Sequence, residues 1–281
     1  MIPTLQRYLF GPSGLCPRSV DKGVRETEGE LSFRLTRNVT GGRPTIVALP
    51  DVGLVGVIAA SFMISNSRSE VIGSIELEDQ PPVAVVQEGR VLDPIRIYEL
   101  STEGGAAFNA VYSDIPVPPA LSWQISEAIM GFAGSADSRE LVVLGGLPEP
   151  NRINIERPRV FVISSDPEYT NSVAQKGEVE VFEMGYITGP NAALLKMGRE
   201  RGIRVLLVLA QAHLNYPDPG ASAEVITFLN RVYGTSYNIQ PLMEQAESIR
   251  LQLRDLMRRT AASLTRGPKG LELEAPPGYI R

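Results

Sequence analysis

The chain of 281 residues has one cysteine, one histidine and one tryptophan, so it is short of the side chains on which most catalytic machinery is built. Cys16 stands alone among Gly and Pro, which leaves neither an internal disulfide nor a cysteine-ligated metal. A lone histidine, His213, excludes a two-histidine zinc site. A hydrolase triad would need His213 as its base, and no Gly-x-Ser-x-Gly elbow accompanies it to supply the serine. Positive charge is also short. The net charge of −5 argues against general nucleic-acid binding, which depends on neutralising phosphates. Arg250, Arg254, Arg258, Arg259 and Arg266 do cluster, but acids alternate with them until the last turn, as on a solvated helix face. No apolar run reaches bilayer length. The first residues lack a charged leader followed by an apolar core, and the expectation is a cytoplasmic protein with no membrane partner.

What is present is an ordinary globular composition, 43% hydrophobic and 21% charged. The length suits one large α/β domain with appendages or two small ones. Residues 1–28, rich in Gly, Pro and charge, are expected to form a flexible arm. A core domain is expected over 29–240, a helix over 241–262 and a flexible tail over 263–281. In the core, Leu31, Phe33 and Leu35 alternate as in a half-exposed strand. Thr45 to Leu49 reads as a short apolar strand, followed by Pro50-Asp51-Val52-Gly53-Leu54-Val55-Gly56 and a helix from Val57 to Ile64, the opening of a βαβ unit. Strands are then expected over 71–77, 83–87, 95–100 and 106–112, a helix over 118–132, and strands over 140–145 and 160–164. A helix over 168–176, a strand over 179–184 and a helix over 191–201 come next.

Ile203 to Ala212 is a nearly unbroken apolar run, rich in Val and Leu and covered on both faces. A helix from Pro219 to Tyr233 follows it. Alternation of this kind, after an early run of strands, argues for an α/β sandwich with a mixed sheet. The last helix carries Leu242, Ala246, Ile249, Leu253, Leu256 and Thr260 at spacings of a heptad seam. It is either an amphipathic helix docked on its own domain or a helix–helix contact between subunits.

The candidate chemistry gathers at strand ends. The Asp51–Gly56 turn lacks the Gly-Lys-Ser/Thr of a phosphate loop and the third, earlier glycine of a dinucleotide fingerprint, so no cofactor is expected. One reading has Asp51 capping the following helix while Gly53 and Gly56 allow close backbone approach. The other is a small-ligand pocket. It would bring Asp51, Gly53, Gly56, Asn191, His213 and Asp218 together at the strand ends, where α/β sheets hold ligands. Asp218, between Pro217 and Pro219, reads as the cap of the helix beginning at Pro219.

Four motifs in order resemble those of the proteasome assembly chaperone 2 family. They are Thr45 to Gly56 with its Pro-x-x-Gly-x-x-Gly turn, and Leu144-Gly145-Gly146-Leu147-Pro148. Gly185 with Ile187-Thr188-Gly189-Pro190-Asn191-Ala192-Ala193-Leu194-Leu195, and Tyr216-Pro217-Asp218-Pro219 with Ala221 and Ala223, complete the set. The stretch from Ile239-Gln240-Pro241-Leu242 resembles the family's final helix. The resemblance, over about residues 30–260, implies a three-layer α/β/α sandwich with a mixed sheet, similar to nucleoside phosphorylases but without their catalytic residues. It also implies homo-oligomerisation and binding of proteasome α subunits. Some members end in a hydrophobic residue, a tyrosine and one further residue. This chain ends Gly278-Tyr279-Ile280-Arg281, with tyrosine third from last. Tyr279, Ile280 and Arg281 are the candidate partner-binding residues, since a proline-spaced tail bearing an aromatic suits docking in a groove. An end without that role is the alternative.

Overall fold

Nine strands form one sheet because the central ones have no polar face to show to water. The computed structural model describes residues 33–77 and 79–265, with 254–265 described by backbone alone. The expected arm 1–28 and the tail with Tyr279, Ile280 and Arg281 lie outside the described residues. In the middle of the sheet run β2 (Thr45–Ala48), β8 (Leu141–Pro148) and β11 (Val205–Ala212), mutually parallel in the order β2-β8-β11. Every residue of β2 and β11 is buried. Successive side chains serve opposite faces. Ile46, Val142, Leu144, Leu206 and Val208 join one core, and Val47, Leu141, Val143, Val205 and Leu207 the other.

Beside β2 lie β7 (Ala107–Ser113), parallel to it, then β6 (Ile95–Ser101), β3 (Arg68–Ile75) and β1 (Phe33–Leu35), all antiparallel to their neighbours. Beside β11 lie β9 (Val160–Ser164), antiparallel, and β10 (Glu180–Val181), parallel to β9. Edge strands of three and two residues offer little open ladder to another sheet. The strand expected over 179–184 shrinks to Glu180–Val181. Phe182 still donates its N–H to Val162, and beyond it Gly185 at φ 156 turns the chain away.

The hairpin between β3 and β6 was only half foreseen. β4 (Val85–Gln87) pairs with β5 (Arg90–Leu92) in a separate ribbon, closed by Glu88 and Gly89, both at positive φ. That is the two-residue primed turn that matches strand twist.

Helices cover both faces. On one lie α1 (Val55–Ser65), α3 (Pro167–Gly177) and α5 (Pro219–Tyr233), and on the other α2 (Ser122–Ser135) and α4 (Gly189–Arg201). The result is the three-layer α/β/α sandwich with a mixed sheet. Ten successive residues of α1, Val55 to Ile64, are buried, because α1 is sandwiched between sheet and α5 rather than lying at the surface. Burying side chains such as Ile58, Phe62 and Met63 contributes about 1.5–3 kcal/mol each. The last helix, α6 (Gln240–Thr265), docks on the body through its first turns. Leu242 is fully buried and Ile249 and Leu253 are half-buried, while Leu251 is exposed.

Candidate functional site: the strand-end rim

The carboxyl ends of β2, β8 and β11 point the same way, and the loops leaving them bring the predicted residues to one rim. After β2 the chain makes a single 3-10 turn, Val52–Leu54, before α1 begins. Asp51 does not cap this helix, contrary to the sequence reading. Its backbone is extended and its side chain makes no capping bond. The carboxylate turns sideways instead: Oδ2 accepts the Gly146 N–H at 3.0 Å, and the Asn191 side chain donates to the same group. A stronger demand, seating the turn on β8, wins over the cap. Burial pushes the Asp51 carboxyl up to about 8, against the opposing pull of Gly146 and Asn191. At neutral pH Asp51 therefore holds its proton. Its Oδ1 is shielded from solvent and has no hydrogen-bond partner among the described residues.

Gly53 sits at φ 65, and a Cβ there would lie 2.8 Å from the Cβ of Ala212 and 3.3 Å from that of Asp218. Its carbonyl accepts the Asp218 N–H at 2.8 Å. Gly56 belongs to packing below the rim, where a Cβ would come within 2.3 Å of the Leu144 carbonyl oxygen.

Asp218 is 2% exposed and fully engaged. Oδ1 accepts from Ala221 N–H at 3.0 Å, capping α5 as the sequence suggested, and from Arg152 Nη2 at 3.0 Å. Oδ2 accepts the His213 N–H at 3.1 Å and lies 2.8 Å from Arg152 Nε. A buried carboxylate needs such pairing. Arg152 is the residue that sequence reasoning missed. It sits in the 3-10 turn Arg152–Asn154 after a run of Pro and Glu, and nothing in its neighbourhood marks it as the partner of a residue 66 positions away. The spacing of a bidentate ion pair between two loops leaves no periodic trace.

His213 contributes its backbone to this cluster. Its imidazole is held below the ordinary histidine range by burial, aided by Arg152 and opposed by Asp218, and so is neutral at pH 7. The ring stands edge-on to Tyr216 at 6.4 Å. It lines a recess of about 90 Å³ that α6 roofs with Met243, Ala246 and Ile249. Thus the rim holds two clusters, Asp51–Gly146–Asn191 and Gly53–Arg152–His213–Asp218, joined through the Val52–Leu54 turn. The lone pairs of Asp218 are occupied by donors, and Asp51 carries a proton. Among the described residues no group of three His, Cys, Asp or Glu side chains could hold a metal ion.

Near this rim the molecule also presents apolar surface. Met184 and Tyr186, 91% and 97% exposed, stand in the loop leading to α4. That loop ends at Gly189, beside Ser122 at the start of α2, and Trp123 follows with its ring under the Lys196 ammonium at 5.3 Å. Leu214 and Tyr216 are exposed in the loop after β11.

The PAC2 family profile matches residues 45–257. An uncharacterised protein of Methanocaldococcus jannaschii is 26% identical over 224 residues, 80% of this chain and 89% of its own. The crystal structure of Pyrococcus furiosus PbaA, an archaeal homologue of proteasome-assembly chaperone, is similar at a TM-score of 0.70 and 26% identity, over 84% of this chain and 95% of PbaA. PbaB of the same organism, an archaeal proteasome activator, shares the fold at a TM-score of 0.70 and 21% identity, over 81% of this chain and 99% of its own. With the whole rim, from the Asp51 turn to the start of α6, inside the matched stretch, this chain belongs to the PAC2 family.

Proposed function

We propose that this protein is a non-enzymatic, homo-oligomeric assembly chaperone of the cytoplasm that binds proteasome α subunits. The observation that carries the reading is the family match over residues 45–257, together with the likeness to PbaA across most of both chains. The chemistry of the rim supports it. Asp218 is engaged in an ion pair and a cap, and His213 is neutral with no hydrogen bond to its ring among the described residues. The exposed Met184, Tyr186 and Trp123 offer apolar anchors for a protein partner, and nucleic acid and membrane are not called for. Among the described residues no helix is long and apolar enough to cross a membrane. The end Tyr279-Ile280-Arg281 is a further contact in this reading. Recombinant α subunits of the same organism are captured by the full-length protein; no capture at micromolar concentration sinks the proposal.

A second reading has one observation in its favour. The protonated Asp51, with its unpartnered Oδ1 beside Asn191 in the first turn of α4, is what a phosphorylase-like pocket for a small anionic ligand would use. Nucleosides and inorganic phosphate would then raise the melting temperature, since a ligand that binds only the folded state stabilises it. A flat screen removes this alternative.

A further inference from the structure

The start of α4 is fastened from outside the helix. In α3 and α5 an aspartate supplies the cap, Asp166 for one and Asp218 for the other. Such caps satisfy N–H groups that have no partner inside the helix. In α4 the N-cap residue is Thr188, which makes no side-chain capping bond, and Gly189 and Pro190 offer no substitute. From α2 the Ser126 hydroxyl reaches the Pro190 carbonyl at 3.3 Å, although the Ser122 carbonyl is nearer to it at 2.7 Å. The other tie is to Asp51. Asn191, the third residue of α4, donates its side-chain amide to the carboxyl whose Oδ2 also accepts the Gly146 N–H. Gly145 leaves room for the two to meet: a Cβ there would lie 2.5 Å from Asp51 Oδ2 and 3.3 Å from Asn191 Nδ2.

The loop ahead of α4 depends on that end. Phe182 donates its N–H to Val162, and beyond it, among the described residues, no hydrogen bond holds any residue from Glu183 to Ile187. Glu183 to Tyr186 are exposed, and only Ile187 packs against the core, half-buried. The loop therefore hangs between β10 and the first turn of α4. We infer that Asp51 is its positioning residue: the carboxyl clamps the β2 turn, Gly146 of β8 and Asn191 of α4 together, and so sets where Met184 and Tyr186 stand. The inference deepens the proposed function and rests on it for the role of those two anchors. The clamp itself belongs to the protein alone.

The surroundings suit an uncharged carboxyl. Oδ1 is shielded and has no partner among the described residues. The groups that act on Asp51 are the Gly146 N–H and the Asn191 amide, with no charged side chain among them. Asp218 and Arg152, across the Val52–Leu54 turn, are paired with each other. An ionised carboxylate at Asp51 has too few donors to offset its burial. As pH rises through 8, where burial has pushed this group, opening the clamp to hydrate it becomes favourable. The loop then loses its fixed end.

The experiment follows amide exchange of residues 183–191 in the full-length protein, with residues 219–233 of α5 as the internal reference. Asp51→Ala removes both oxygens and should speed exchange of 183–191 roughly five-fold, while Asp51→Asn should stay within about two-fold of the parent at pH 7. Gly145→Ala keeps both polar groups but wedges them apart, and should act as Asp51→Ala does. Corrected for the intrinsic rate, the parent loop should loosen roughly three-fold against the reference between pH 7 and pH 9, and Asp51→Asn should not. Parent-like exchange in Asp51→Ala and Gly145→Ala overturns the clamp. Equal pH profiles in the parent and Asp51→Asn overturn the part played by the carboxyl proton. Capture of α subunits separates this inference from the proposed function. No capture by the parent defeats the proposed function, and the exchange data still decide the clamp. Capture by Asp51→Ala as strong as by the parent, with the loop loosened, overturns the loop's part in binding.

Discussion

At the residue scale, Asp51 and Asp218 show how two buried carboxylates at one rim are held by different partners. Asp218 is held by Arg152 and by the backbone N–H groups of His213 and Ala221. Asp51 has only Gly146 and Asn191, too little to offset burial, and is pushed up to about 8 from an ordinary 3.8. Its contribution to stability is full below pH 4 and is lost as pH rises through 8, because the folded state binds a proton there that the unfolded chain has released. Asp51→Asn removes this loss. Melting temperatures of the variant and the parent should be similar at pH 5, with the variant higher at pH 9; parallel pH profiles would refute the protonated carboxyl. Arg152→Ala leaves the Asp218 charge buried without a partner and should cost about 3–5 kcal/mol in urea unfolding. Adding Asp218→Asn should recover part of that cost, a non-additivity expected of groups in contact. Gly56→Ala forces a methyl against the Leu144 carbonyl and should destabilise by about 1–3 kcal/mol.

Among the elements, the strongly patterned ones could be read in advance. α5 begins at Pro219 and ends at Tyr233, as its Asp-Pro start and apolar periodicity predicted, and β9 covers the predicted residues. β10 fell short because strand propensity in residues 179–184 meets no neighbour to pair with beyond Val181. The β4–β5 ribbon was half missed because Glu88 is a poor resident of a primed turn, and the turn forms through Gly89 and strand pairing instead. A non-glycine residue at left-handed φ costs about 1–2 kcal/mol, and asparagine tolerates it better. Glu88→Asn should slow amide exchange in Val85–Leu92 by roughly two- to five-fold; faster exchange would mean that Glu88 holds the ribbon by another contact. Leu242→Ala should cost about 2–5 kcal/mol, since the first turns of α6 are docked by that fully buried side chain.

Over the whole molecule, the sheet separates two duties. Its two cores are closed, while the loops at the strand ends present Met184, Tyr186, Leu214 and Tyr216 to solvent. Replacing Met184 and Tyr186 together with serine should leave the melting temperature within a few degrees, because neither is packed, and should weaken α-subunit capture at least five-fold. Unchanged capture would move the partner surface elsewhere on the protein.

Sequence alone determined the fold class and much of the element order. Hydrophobic periodicity, Pro and Asp at helix starts and the unbroken Val/Leu run of β11 are local signals that act within a few residues. It also placed Gly53, Asn191, His213 and Asp218 at strand ends. Tertiary structure alone decided what those residues do. Whether Asp51 caps a helix or seats a turn depends on Gly146, 95 residues away, and the ion pair of Asp218 depends on Arg152, 66 residues away. Protonation state and ion pairing follow burial and partner distance, and neither is carried by the spacing of residues along the chain.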